Sequence, residues 1–197
     1  MSEAAAEAQG VVATLEPPGG VLMWLIVAVE TLTFGGGLVA FTSSRRDEPL
    51  VFAAGRAALH QPLALANTLV LLTGGWCMAR GLGSLRAGAP ALASRWVGAA
   101  MASGLVFLAL KCVEYADKLA HGLNLRRDAF FAYYWLLTSF HFLHVAVAVV
   151  LLAFARHSIR GGSSTQASHL GVESAGIFWH MCDVIWLLVY PTVYLLG

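Results

Sequence analysis

The chain has 197 residues, of which 58% are apolar and 12% charged, with a formal net charge of +1 and a mean hydropathy of +0.72. Soluble domains carry roughly 25% charged residues. Half that share cannot coat a globular surface, which excludes a soluble globular protein, a nucleic-acid binder, a disordered chain and a secreted disulfide scaffold. What remains is an all-α polytopic membrane protein, because the strand alternation of a membrane β-barrel is absent.

Residues 1–20 carry three glutamates and no lysine or arginine, and end in Pro17-Pro18-Gly19-Gly20. They have no apolar run of their own and read as a disordered tail rather than a cleavable signal. A bilayer core of about 30 Å takes roughly 20 apolar residues as helix. Five runs approach that length, at residues 21–43, 63–79, 96–113, 129–155 and 170–196. The sequence therefore predicts a five-transmembrane-helix bundle over residues 21–197, as one domain. The connections read as polar links: one opening at Arg45-Arg46-Asp47-Glu48-Pro49, one over 80–95, a basic one over 121–128 and a Ser/Gly-rich one over 156–169. With five spans the termini lie on opposite faces. Five arginines fall on the N-terminal face and six basic residues on the other, so the positive-inside rule does not orient the chain.

Small residues inside the spans, at Gly35-Gly36-Gly37, Gly74-Gly75, Gly98 with Ala102 and Gly171 with Ala175, predict close helix–helix approach. Cys77, Cys112 and Cys182 are odd in number and form no CxxC pair, so they read as small apolar residues in helix contacts.

Polar residues at membrane depth carry the functional information. Glu30 lies nine residues into the first span, or about 14 Å at 1.5 Å per residue. Asn67 lies early in the second. Lys111 and Glu114 sit three apart towards the end of the third. His141 and His144, and again His180 and Asp183, sit three apart near the middle of the fourth and fifth, with Trp179 and Trp186 flanking the latter pair. A charge at the bilayer centre costs at least about 2.5–3.5 kcal/mol, so these residues need a reason. Three compete. Histidines on different helices can ligate haem, as in a small b-type cytochrome. Glu30 and the histidines can serve as stations of a proton relay, as in a proton-coupled transporter. Or the groups pair within the bundle, with Lys111–Glu114, Glu114–Lys118 and His180–Asp183 at helix-neighbour spacing, and hold lipid or a partner subunit. The third reading accounts for all of them except Glu30, which has no basic residue near it in its own span.

Several of these residues stand in recognisable motifs. Leu137-Thr138-Ser139-Phe140-His141-Phe142-Leu143-His144 resembles the TGxHxxHV motif of subunit III of haem-copper oxidases. Glu173 followed by Trp179-His180-Met181-Cys182-Asp183-Val184-Ile185-Trp186 resembles that family's E…WHxxDxxW signature. Lys111-Cys112-Val113-Glu114-Tyr115 is similar to its EY element, Asn67-Thr68 to the NT opening another helix, and Glu30 with Phe34 and Gly35 to its intramembrane glutamate. Order and spacing agree from about Val21 to Gly197. Seven-helix members have two further N-terminal helices, so the chain resembles the five-helix branch. That branch includes quinol-oxidase subunit III and the subunit III-like protein associated with nitric oxide reductase. The run Arg126-Arg127-Asp128-Ala129-Phe130-Phe131-Ala132-Tyr133-Tyr134-Trp135 is similar to the latter. Ser139 and Phe142 replace family glycines, which predicts different packing around His141.

The resemblance implies a non-catalytic accessory subunit of a respiratory complex in a bacterial inner membrane. Its N-terminus would be cytoplasmic and its C-terminus periplasmic. It would bind no haem, copper or other metal itself. A catalytic haem-copper oxidase or nitric oxide reductase subunit would hold the haem and copper. Phospholipid would bind in the helix clefts, and span-end arginines such as Arg80, Arg95 and Arg156 are candidate headgroup contacts. Glu30, Asn67, Lys111, Glu114, His141, His144, Glu173, His180, Asp183 and Trp186 are the expected structural, lipid or subunit contacts, and no catalytic residue is expected.

Overall fold

The structure, a computed structural model, describes residues 17–161 and 166–196. Among the described residues six α-helices follow in order: α1 (Gly20–Asp47), α2 (Pro49–Ala57), α3 (Gln61–Arg86), α4 (Pro90–Ala120), α5 (Ala129–Arg160) and α6 (Gln166–Tyr190). A π-helical turn, Pro191–Leu195, continues α6. Five of the helices are long and apolar enough to cross a membrane, namely α1, α3, α4, α5 and His169–Leu195. The fold is the expected all-α, five-span bundle.

Helix starts follow local chemistry. Prolines open α2, α3 and α4, where the missing N–H goes unused. Asp128 caps α5, its Oδ1 accepting from the Phe131 N–H at 2.9 Å. Gly88 and Gly122, both at positive φ, stop α3 and α4. The α4–α5 link is pinned by Trp135, whose indole N–H donates to the Leu123 carbonyl at 2.8 Å.

The helices run well past the predicted spans. Arg80–Arg86 and Arg95 are helical, which leaves only residues 87–89 between α3 and α4, and α5 continues from Ala155 to Arg160. The expected link after Arg45 contains α2. Hydropathy ends a span at its first arginines, but arginine is a good helix former and carries its head beyond the apolar zone. Of the predicted Ser/Gly-rich link over 156–169, residues 162–165 lie outside the described residues. Of the predicted tail, residues 1–16 do. Residues 17–20 form a turn, with Gly20 N–H on the Pro17 carbonyl at 2.9 Å and Ser174 Oγ donating to the Gly19 carbonyl at 3.0 Å.

α3–α6 form the bundle, and α1 with α2 lines its side. α6 is the most enclosed span. α1 packs mainly on α6 and α5 and buries only Phe34 and Phe41. α2 is wedged in by aromatic contacts, Phe41–Phe52 at 5.0 Å and Phe52–Phe130 at 5.6 Å between centroids. The Phe130 ring lies over Gly55, where a Cβ would meet it at 2.1 Å.

The glycine expectation holds at some positions and not others. A Cβ on Gly74 would come within 2.6 Å of the Trp179 ring, and one on Gly75 within 2.1 Å of Asp183 Oδ2. Gly35, Gly36 and Gly171 have nothing within 4 Å and make no close approach among the described residues. Cys77 and Cys182 are buried in helix contacts, as expected, whereas Cys112 faces outward.

This contrast is testable. Gly74→Val should destabilise the purified chain by about 1–3 kcal/mol through overpacking against Trp179. Gly36→Val should leave thermal unfolding in detergent unchanged. Equal melting curves for the two variants would contradict this packing.

Candidate functional site

The polar residues are distributed along the length of the bundle in four groups. The most enclosed lies at the α4–α5–C-terminal junction. Lys111 and Glu114, one turn apart on α4, are each 1% exposed. Lys111 Nζ donates to Glu114 Oε2 at 3.0 Å and to the Tyr194 hydroxyl at 2.8 Å. Tyr194 and Tyr134 both donate to Glu114 Oε1, at 2.7 and 2.8 Å. The ammonium also lies 4.7 Å from the Tyr115 ring and 5.5 Å from the Trp186 ring. The expected Lys111–Glu114 pair is therefore present, inside the bundle among aromatic rings. The expected Glu114–Lys118 pair is not observed. Lys118 Nζ donates instead to Asp117 Oδ2 at 2.9 Å and to the Ala58 carbonyl at 3.0 Å, because its direction on α4 points it at the end of α2.

The second group is central. The Trp186 indole N–H donates to Thr68 Oγ1 at 2.9 Å, and Thr68 donates to the Ala64 carbonyl at 2.8 Å. Asn67 Nδ2 reaches the Phe107 carbonyl at 3.4 Å. His141, fully buried, donates from Nε2 to the Cys182 carbonyl at 3.1 Å, which fixes its tautomer. Its ring packs on Trp186 at 4.8 Å and on Phe107 at 5.5 Å. Phe142, at a family glycine position, lies 5.9 Å from the Tyr115 ring, and Ser139 is exposed on the outer surface.

The third group resolves Glu30. Its partner comes from another helix. His144 Nε2 lies 3.1 Å from Glu30 Oε2. His144 Nδ1 donates to the Phe140 carbonyl at 2.8 Å, which leaves Nε2 facing Glu30. His180 Nδ1 lies 3.4 Å from Asp183 Oδ2, the pair expected from their spacing. Asp183 is buried against Gly75, while the His180 side chain is 48% exposed on the outer surface.

The fourth group is at the far end. Glu173 Oε1 accepts from Arg86 Nη2 at 2.9 Å, with Arg86 60% exposed. Glu173 thus ties α6 to the end of α3 and does not join the interior groups. Arg156 Nε donates to the Ser94 carbonyl at 3.1 Å, and its guanidinium lies over Gly98. Arg80 lies 5.8 Å over the Trp96 ring.

Sequence spacing missed Tyr194, which receives Lys111 and binds Glu114. It lies 80 residues from Glu114 in a π turn, with no periodic signal to mark it. The roles of Gln61, donating to the Tyr194 carbonyl at 3.1 Å, and of the Cys182 carbonyl were equally invisible.

The family model for cytochrome c oxidase subunit III matches residues 21–197, a range that contains all four groups. The chain belongs to the cytochrome c oxidase subunit III family. It is 32% identical over 178 residues to a Synechocystis cytochrome c oxidase subunit 3, covering 90% of this chain and 74% of that protein. It is 31% identical to the corresponding Thermostichus vulcanus protein, over 90% of this chain and 86% of the relative. A cytochrome bo(3) ubiquinol oxidase subunit 3 of Pseudomonas aeruginosa is 26% identical, over 73% of this chain and 69% of its own length.

The Lys111–Glu114 arrangement predicts strong non-additivity. Lys111→Met strands a buried carboxylate and should cost about 3–5 kcal/mol, whereas Lys111→Met with Glu114→Gln should recover most of that loss. Thermal unfolding of the purified chain in detergent measures both. A double variant as unstable as the single one would show that the pair is not the coupled unit.

Proposed function

We propose that this chain is a non-catalytic accessory subunit of a haem-copper oxidase complex, which packs beside the catalytic subunit and supports its assembly and stability. Two considerations support it. One is membership of the subunit III family over nearly the whole chain. The other, which carries the reading, is how the interior polar groups are used. Lys111, Glu114, His141, His144 and Glu30 are engaged by one another, by tyrosines or by backbone carbonyls. Such an interior serves rigidity. Catalysis and the redox centres belong to the partner.

Within that class, a nitric oxide reductase complex is favoured by the run from Arg126 to Trp135. Phe130, Phe131 and Tyr134 of this run are buried, and Tyr134 supplies a hydroxyl to Glu114. The complex sits in a bacterial inner membrane, with the N-terminus cytoplasmic and the C-terminus periplasmic. Phospholipid binds on the outer surface. An apolar cavity of about 600 Å³ beside Leu125, Trp135, Leu136 and Leu143 suits an acyl chain, and one of about 470 Å³ framed by Arg95, Arg156 and Arg160 suits a headgroup.

The tagged chain, purified in mild detergent from its native membrane, should carry haem absorption in co-eluting larger polypeptides and lose it when they are stripped away. Haem that stays with the isolated chain would overturn the reading. Nitric oxide consumption by the co-purified complex, exceeding oxygen consumption, is the outcome expected of the favoured branch.

A further inference from the structure

His180 differs from the other ionisable residues within the spans. Lys111, Glu114 and His141 are almost fully enclosed, the His144 side chain is 10% exposed and that of Glu30 22%, but that of His180 is 48% exposed. The ring is held in a defined pose. Nδ1 faces Asp183 Oδ2 at 3.4 Å, and Asp183 is itself seated against α3 where Gly75 lacks a Cβ. With Nδ1 turned to the carboxylate, Nε2 is directed away from it, and Nε2 has no partner among the described residues. His180 stands on the outward face of α6 with the exposed Val184 and Leu187 and the half-buried Ile177, at helix-face spacing. Beside the stripe, a groove of about 270 Å³ separates α6 from Trp24, Val27 and Thr31 of α1.

A polar nitrogen at this depth has no water to bind, and acyl chains offer no hydrogen-bonding group. Protein does. A second copy of this chain is a poorer complement, since two-fold contact through the stripe sets the same imidazole against itself. We propose that the α6 stripe centred on His180 is the seat of a transmembrane helix of the catalytic partner, and that this helix carries a hydrogen-bonding side chain at mid-membrane depth for Nε2. The apolar neighbours Ile177, Val184 and Leu187 supply the packing surface, and the α1–α6 groove receives side chains of that helix. The proposal rests on the accessory-subunit reading and adds the face and the depth of contact.

A photo-crosslinking residue placed at Val184 or Leu187 of the full chain, in native membranes, tests it against the same residue at Val106 of α4 or Val150 of α5, which face outward among apolar side chains. The α6 positions should form adducts with the haem-bearing polypeptide, identified by haem staining and mass, and Val106 and Val150 should not. Adducts to that polypeptide from Val106 or Val150 alone would overturn the assigned face while leaving the accessory reading intact. Adducts from α6 only to lipid or to a second copy would overturn it as well. A chain that neither crosslinks to nor co-purifies with a haem-bearing polypeptide would overturn the accessory reading itself, and the proposal with it. His180→Phe should lower the Val184 adduct yield about fivefold or more at an unchanged level of membrane-inserted chain, and His180→Gln should retain most of it. An undiminished yield in His180→Phe would show that the imidazole makes no contact.

Discussion

An ion pair inside a lipid-embedded bundle has no water as an alternative partner, and the architecture is tightest where Lys111 meets Glu114. Removing two charges from water carries a penalty of several kcal/mol per ion, offset only by close geometry and further hydrogen bonds. Here both carboxylate oxygens are engaged, the ammonium has two oxygen partners, and aromatic faces surround it. Meeting these demands requires α5 to present Tyr134 and the C-terminal turn to present Tyr194, so a pair encoded within α4 fixes two other elements. The turn is held further by Gln61 on the Tyr194 carbonyl, by Arg56 on the Leu195 carbonyl and by Arg45 on that of Leu196. Pro191 lacks an N–H to continue the α-helical ladder, and the Leu196 N–H reaches back to its carbonyl at 2.9 Å, which gives the π spacing that turns Tyr194 inward.

α1 shows the opposite balance. Most of its length faces outward, and its attachment depends on Phe34, Phe41, the contact of Glu30 with His144 and the turn anchored at Ser174. Phe34 packs on both imidazoles of α5, 6.3 Å from His141 and 5.5 Å from His144. The rings around His141 are aromatic, and its Nε2 proton is directed to a backbone carbonyl. A proton relay needs hydrogen-bonded neighbours that can accept and pass a proton, and an aromatic shell with a carbonyl terminus is a poor one. The interior chemistry therefore suits support better than transport.

The number of spans and their order were legible because hydrophobic length is a direct consequence of bilayer thickness. The in-helix pairs Lys111–Glu114 and His180–Asp183 were legible because three-residue spacing places side chains on one face. Their surroundings were not. Spacing cannot show that Lys111 points inward to Tyr194 rather than outward, nor that Lys118 prefers the Ala58 carbonyl to Glu114. Glu30 is the clearest case. Within its own span it has no counterpart, and its partner His144 is supplied by a contact between α1 and α5 that only the folded bundle creates. The helix ends were misjudged for a simpler reason: hydropathy reports where the apolar zone stops, while arginine-bearing turns continue the hydrogen-bonded ladder beyond it.

The same rule that explains the interior separates it from the surface. If every polar group at membrane depth needs a protein partner, then the groups engaged inside the chain account for its fold, and a group left facing outward points to an assembly. Lys111, Glu114, His141 and the Glu30–His144 contact fall in the first class. His180 falls in the second, held by Asp183 yet half exposed among valine, leucine and isoleucine. Asp183 joins the two classes. Its carboxylate sits in the space left by Gly75 on α3 and at the same time orients the imidazole outward, so the packing of α3 on α6 sets the direction of the surface nitrogen.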